Sequence, residues 1–238
     1  MLFLPTVAIM KLYIANKNYS SWSLRPWILL TELGMDFEEI LVPFETNNWD
    51  NFRKFSPTGT VPCLINNDET IWDSLAICEY LAEQNSQVWP SNNKARHWAR
   101  CATAEMHAGF YALRQICTMN CGIRVKLHEI TDPLQKDISR VNEIWQQGIE
   151  QFGGPFLTGT HFTAVDAFFA PVVFRTQTYD LKLELTAHSY QQHILQLDSM
   201  QQWYQAALKE HWIEPGHEQE VFKYGKIVKD LRMAISKP

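Results

Sequence analysis

Cys63-Leu64-Ile65 and Thr70-Ile71-Trp72 are short apolar runs on either side of the polar turn Asn66-Asn67-Asp68-Glu69, and they read as a β-hairpin. Pro62 enters the first strand without an N–H to donate, which suits an edge or a strand's first residue. The hairpin runs straight into Asp73-Ser74, a helix start, with Leu75, Cys78, Leu81 and Ala82 at helical spacing. Upstream, residues 11–15 (Lys-Leu-Tyr-Ile-Ala) and 37–42 read as strands. Between them lie a polar loop and a helix carrying Leu24, Trp27, Ile28 and Leu30 and ending at Gly34. Pro26 is expected in that helix's first turn, which puts Ser23 or Leu24 near the N-cap and leaves Ser20 and Ser21 in the loop. Residues 47–55 form a short polar helix or turn. The order β-α-β-α-β-β-α predicts a mixed sheet with helices on both faces.

Residues 84–93 are polar, contain Pro90 and break the periodicity, so they read as a linker. Everything beyond reads as helical. Residues 94–120 form one helix with two apolar stripes, one through Cys101, Ala104 and Ala108, the other through Met106, Phe110, Leu113 and Cys117. Asp132-Pro133 opens the next helix and Gly153-Gly154 ends it. Thr163-Ala164-Val165-Asp166 is a capping-box-like start to an apolar helix through Val173, and Asp198 opens a last clear one. Little is assigned from Glu214 onward. The expected fold is thus an α+β domain over residues 10–84 followed by an all-α domain over residues 92–238. Residues 1–10 read as a ragged extension, or as sequence ahead of a start at Met10.

With 46% hydrophobic and 20% charged residues in 238, the chain buries a core and is not disordered. A net charge of −5 without a basic run argues against a general binder of nucleic acid or anionic membrane. No stretch is long enough to span a bilayer, and residues 1–10 lack a basic leader. The five cysteines (Cys63, Cys78, Cys101, Cys117, Cys121) show no C-x-x-C spacing and no partnering His cluster. The expectation is reduced thiols in a cytoplasmic protein, with no metal.

The chemistry concentrates around the hairpin. Pro62 leaves the Val61 N–H and C=O free of a ladder partner, and the helix start at Asp73-Ser74 offers further N–H groups and partial positive charge. Such a corner suits the backbone and carboxylates of a peptide. Val61-Pro62, followed after ten residues by Asp73-Ser74, resembles the glutathione-binding half of the thioredoxin-like domain of glutathione transferases. The α/β-then-helical layout, and Thr163 to Asp166 after Phe156-Leu157-Thr158-Gly159, extend the resemblance over residues 11–173. It implies a cis Pro62, Val61 pairing its backbone with the glutathione cysteinyl part, and Asp73 and Ser74 at the γ-glutamyl end. Asp73 stands where the family more often has Glu or Gln. The resemblance also implies a homodimer.

A glutathione thiol, with a pKa of about 8.5, is only a few per cent thiolate at neutral pH. Lowering that pKa by about two units takes roughly 2.7 kcal/mol of preferential thiolate stabilisation. A hydroxyl bonded to S⁻ supplies about 1.5–3 kcal/mol and a helix N-terminus adds to it. Tyr19, Ser20, Ser21 and Ser23 are the available donors. Tyr19 to Arg25 resembles the Ser-Ser-Cys-x-x-Arg signature of zeta-class transferases, which implies Ser20 as catalytic and Trp22 in place of the cysteine. Theta- and delta-type spacing points to Ser21, and both remain candidates. The lack of a cysteine between residues 1 and 62 argues against disulfide exchange at the first helix. His107, Phe110 and Arg114 on one helix face, with Trp22, are expected at the co-substrate cleft. The implied activity is transfer of glutathione, as co-substrate, to a small electrophile. The alternatives are a non-catalytic glutathione-binding or interaction module, and a glutathione-dependent isomerase of the maleylacetoacetate isomerase kind.

Overall fold

The computed structural model describes residues 9–45 and 48–233. Of the N-terminal extension, residues 1–8 lie outside the described residues, and Met10 already begins strand β1 (Met10–Ile14). Asn47, the expected start of the short second helix, also lies outside them. The first half then runs α1 (Ser21–Glu32), β2 (Phe37–Leu41), α2 (Asn48–Phe52), β3 (Cys63–Asn66), β4 (Glu69–Trp72) and α3 (Ser74–Gln84), in the order expected. β1 lies inside the sheet, parallel to β2 and antiparallel to β3, while β4 closes the edge with Ile71 opposite Leu64. Alternation along β1 divides its side chains. Leu12 and Ile14 join the core with Leu24, Ile28, Ile77 and Leu81 of α1 and α3. Tyr13 stacks at 4.2 Å on Phe55, just beyond α2.

Helix α1 starts earlier than its proline implied. Ser20 is the N-cap and Ser21 the first helical residue, so Pro26 lies inside the helix, beyond its first turn. Pro26 has no N–H to donate to the Trp22 carbonyl. The start is fixed upstream instead, where the Ser20 N–H donates to the Asn16 carbonyl at 2.8 Å and the Leu24 N–H to that of Ser20 at 3.3 Å.

The second half contains α4 (Asn93–Ala108), α5 (Tyr111–Ile116), β5 (Ile123–Leu127), α6 (Asp132–Phe152), α7 (Ala164–Thr178), α8 (Leu185–Leu195), α9 (Asp198–Lys209), α10 (Pro215–Tyr224) and β6 (Gly225–Asp230). Two expectations are corrected here. The second half is not wholly helical, because β5 and β6 pair antiparallel, Leu127 opposite Gly225. The single helix over residues 94–120 is also two. Gly109 ends α4, where an added Cβ would sit 2.8 Å from the Glu105 carbonyl oxygen, and Phe110 adopts the left-handed region at φ 55°. The Asp137 carboxylate then accepts the Leu113 N–H at 2.9 Å and starts α5 in a new direction. His107, Phe110 and Arg114 therefore do not share a face.

α7 is buried almost throughout and forms the centre of the helical half. Its capping box is complete. The Asp166 carboxylate accepts the Thr163 N–H at 3.0 Å, the Leu157 N–H at 2.9 Å and the Tyr190 hydroxyl at 3.2 Å. α7 packs on both α1 and α4, so the two halves share one core. Among the described residues no helix is long and apolar enough to cross a membrane.

Candidate active site

Two cavities adjoin, the larger on the seam between the halves and the smaller within the first half. The larger, of about 610 Å³, takes Ser20, Ser21 and Trp22 from the start of α1, Arg114 and Arg175 from the helical half, and His217 and Glu220 from α10. The smaller, of about 270 Å³, is lined by Pro62, Trp72, Asp73 and Ser74. Trp22, Thr60 and Val61 line both.

The smaller cavity is the corner foreseen around the hairpin. Val61 stands outside the β1–β3 ladder, whose pairing begins at Cys63, and the Val61–Pro62 peptide is cis. Asp73 caps α3, its carboxylate accepting the Leu75 N–H at 2.7 Å. Its backbone sits at φ 71°, a conformation that a non-glycine residue holds at a cost of about 1–3 kcal/mol and that clusters at binding sites. The other carboxylate oxygen lies 3.5 Å from His107 Nε2. On the far side of that ring, Arg25 Nη1 is 3.4 Å from Nδ1, and the same nitrogen donates to Ser74 Oγ at 3.3 Å. Burial holds the His107 pKa below its ordinary value, against the pull of Asp73. A neutral ring fits both contacts, with Nδ1 accepting from Arg25 and Nε2–H facing Asp73.

The serine corner is built differently. The loop over residues 16–20 is clamped by the helical half. Glu210 accepts the Lys17 and Asn18 N–H groups at 2.6 and 3.1 Å, and the Trp203 indole donates to the Lys17 carbonyl at 2.9 Å. Asn18 in turn binds Asn120 and the Gly122 N–H, both at 2.9 Å. Burial raises the Glu210 pKa to about 7. Ser20 gives its proton to Ser23 Oγ at 2.7 Å, and Ser23 Oγ also accepts the Ala15 N–H. Ser21 Oγ instead accepts from Arg175 Nη2 at 3.1 Å. Arg175 is buried, and its other acceptors are the Cys117 and Arg114 carbonyls, with no carboxylate among them. Burial lowers its pKa to about 10, so it stays charged at neutral pH.

A strap of α10 and β6 closes the third side. Glu218 accepts from the Tyr19 hydroxyl at 2.9 Å, from Asn120 at 2.9 Å and from Arg232 at 2.7 Å. Burial and the Glu218 charge push the Tyr19 pKa up.

The structure thus brings together Ser20, Ser21, Val61, Pro62, Asp73, Ser74, Trp22 and Arg114 around the paired cavities. Trp22 lies under the Arg25 and Arg114 guanidiniums, 4.1 and 5.5 Å from its ring. His107 and Phe110 do not line the larger cavity. His107 stands behind the Asp73 corner, and Phe110 faces a groove with Glu105 and Arg140 between α4 and α6. Sequence reasoning missed Arg175, Glu210 and His217. An Arg in the otherwise apolar run of α7 was the one visible signal among these.

Comparison with known proteins agrees with this architecture. Residues 19–84 match the family model "Glutathione S-transferase, N-terminal domain" and residues 124–206 match "Glutathione S-transferase, C-terminal domain", together more than half of the chain. Among curated relatives, glutathione S-transferase Z2 of Arabidopsis thaliana is 28% identical over 170 residues, covering 66% of this chain and 74% of its own. Glutathione S-transferase GstA of Escherichia coli O157:H7 is 27% identical over 177 residues, covering 70% and 83%. Among solved structures, a glutathione transferase homologue from Burkholderia with bound glutathione superposes with a TM-score of 0.63 at 21% identity, covering 84% of this chain and 98% of its own. With both family domains matched in order along a chain that has their fold, the protein belongs to the glutathione S-transferase family of enzymes.

Proposed function

We propose that this glutathione transferase lays its tripeptide across both cavities. The Val61 backbone takes the cysteinyl part, Asp73 and Ser74 take the γ-glutamyl end, and the thiol faces Ser21. The co-substrate, a small electrophile, fills the larger cavity beside Trp22 and Arg114. The observation that carries this reading is the Arg175–Ser21 bond. A serine hydroxyl has one proton and two lone pairs. With Arg175 donating to its oxygen, the Ser21 proton is left for a thiolate, and the guanidinium adds positive charge behind it. Ser20 spends its proton on Ser23, and Tyr19 spends its own on Glu218. The N-terminus of α1, which begins at Ser21, contributes a further 0.3–1 kcal/mol or about that.

The test is a pH titration of thiolate absorbance with glutathione saturating. Ser21→Ala is expected to raise the bound thiol's pKa by about one to two units, from loss of a charge-assisted bond of about 1.5–3 kcal/mol. Turnover falls and glutathione affinity stays close to that of the parent. Ser20→Ala is expected to act through loop stability alone. A Ser21→Ala protein that titrates like its parent would rule out this assignment.

The reading extends to assembly and place. We take the chain to act as a homodimer in the cytoplasm, a setting with which its free cysteines agree. Light scattering that returns 27.7 kDa at working concentration would refute the dimer.

A further inference from the structure

Helix α5 is six residues long, and Tyr111, Arg114 and Gln115 on it line the larger cavity. So short a helix is not stable alone in water and takes its position from what grips its ends. The break at Gly109 and Phe110 frees it from the axis of α4, so α4 does not dictate its direction. Phe110, its N-cap residue, has no side-chain oxygen to accept the first N–H groups. The acceptor comes from α6, where the Asp137 carboxylate takes the Leu113 N–H at 2.9 Å. A carboxylate there also meets the positive end of the helix. The opposite end is gripped by a cation, since Arg175 donates to the Arg114 and Cys117 carbonyls. Arg175 also donates to Ser21 Oγ, so the last turn of α5 is tied to the serine corner, whereas its first turn is tied to α6. Asp137 does not line the larger cavity. It opens instead on the separate groove lined by Gly109, Phe110 and Arg140. Its charge faces the Arg114 guanidinium as well: burial lowers the Arg114 pKa, and Asp137 pulls it back up.

We propose that Asp137 is a positioning residue for the transfer. It sets the first turn of α5, and so fixes the wall of Tyr111 and Arg114 against which the electrophile is held. This rests on the reading that the co-substrate fills the larger cavity beside Arg114. The role is separable from binding and ionising glutathione. Val61, Asp73 and Ser74 lie in the first half, and the Arg175 grip on Ser21 and on the last turn of α5 does not pass through Asp137. Loosening the first turn of α5 therefore costs electrophile binding and leaves the thiolate in place. An interaction lost equally from the bound electrophile and from its transition state raises KM without lowering kcat.

The experiment compares the full chain with Asp137→Ala, Asp137→Asn and Arg114→Met. It measures steady-state kinetics on an activated aryl halide with glutathione saturating, the glutathione Kd, and the pH titration of thiolate absorbance. In Asp137→Ala the KM for the halide is expected to rise about tenfold, from the loss of one charge-assisted bond, while kcat stays within about twofold of the parent's. Glutathione Kd and the bound thiol's pKa stay at the parent's values. Asp137→Asn keeps an oxygen for the Leu113 N–H and is expected to bring the KM back to within about threefold of the parent's. Asp137→Glu keeps the charge and moves the oxygen by one methylene, so KM rises there too, and it serves if the alanine variant does not fold. An unchanged KM in Asp137→Ala, no recovery in Asp137→Asn, or a matching loss of glutathione affinity or thiolate would each overturn the assignment, the last by revealing general damage. Arg114→Met tests the underlying reading. If it and Asp137→Ala both leave the KM untouched, the co-substrate does not meet this wall and that reading falls as well. If Arg114→Met raises the KM and Asp137→Ala does not, only the assignment of Asp137 is excluded.

Discussion

The two corners of this cleft are held in opposite ways. The corner around Val61, Asp73 and Ser74 comes from one continuous hairpin-to-helix segment, backed by Arg25 and His107. The serine corner comes from residues 16–21, whose partners lie in α7, in α9 and Glu210 just beyond it, in the strap and in the segment before β5. A locally built corner keeps its shape as long as its own segment folds. A corner clamped from outside depends on every element that reaches it. Damage to the helical half should therefore lower turnover while sparing glutathione affinity, and damage to the hairpin corner should do the reverse.

The largest effect is expected from Arg175→Met. It removes the donor to Ser21 and leaves the Cys117 and Arg114 carbonyls unpaired, at about 1–3 kcal/mol each. Thermal unfolding should show the loss, and thiolate titration should show a raised pKa. Unchanged turnover would break the comparison at its root. Next is Glu210→Ala, which orphans two loop N–H groups and should cost stability on the same scale, with kcat falling and glutathione Kd held.

Glu210 also carries a pH signature. Its folded pKa of about 7 is above its unfolded value, so the folded state binds the extra proton between them. The stability it contributes is full below about pH 4.3 and is lost as pH rises through about 7. Glu210→Gln should flatten that part of the stability–pH curve, and a curve parallel to the parent's would dismiss the linkage. The smallest stability effect is expected at Asp73. Asp73→Ala removes a helix cap worth about 1 kcal/mol. It should weaken glutathione binding while kcat at saturation stays near the parent's, and a kcat loss matching that of Glu210→Ala would erase the distinction between the corners.

The same division explains what could be read beforehand. The hairpin, the helix start at Asp73 and the capping box at Thr163 each show their chemistry within a few residues, so pattern alone located them. β5 alternates cleanly as Ile-Arg-Val-Lys-Leu, but its partner β6 lies about a hundred residues on, and no local signal announces such a pairing. Pro26 misled because a helix start supported from Asn16 overrides the usual proline preference. Gly109 sat in a convincing periodic run, and the run continued across a break that only backbone geometry reveals. Arg175, which donates to Ser21, lies more than 150 positions away, where no local pattern could announce it.

The bond from the Tyr19 hydroxyl to Glu218 spans 199 positions of the chain. Contacts of such separation close the largest loops, and their ordering entropy is met late in folding. During synthesis the hairpin corner has all its local parts once α3 has emerged, whereas the serine loop waits for the strap. A nascent or truncated chain lacking α10 and β6 would have the hairpin corner complete while Tyr19 still lacked its partner. The two corners are thus completed at different times, in an order set by how far apart along the chain each corner's partners lie.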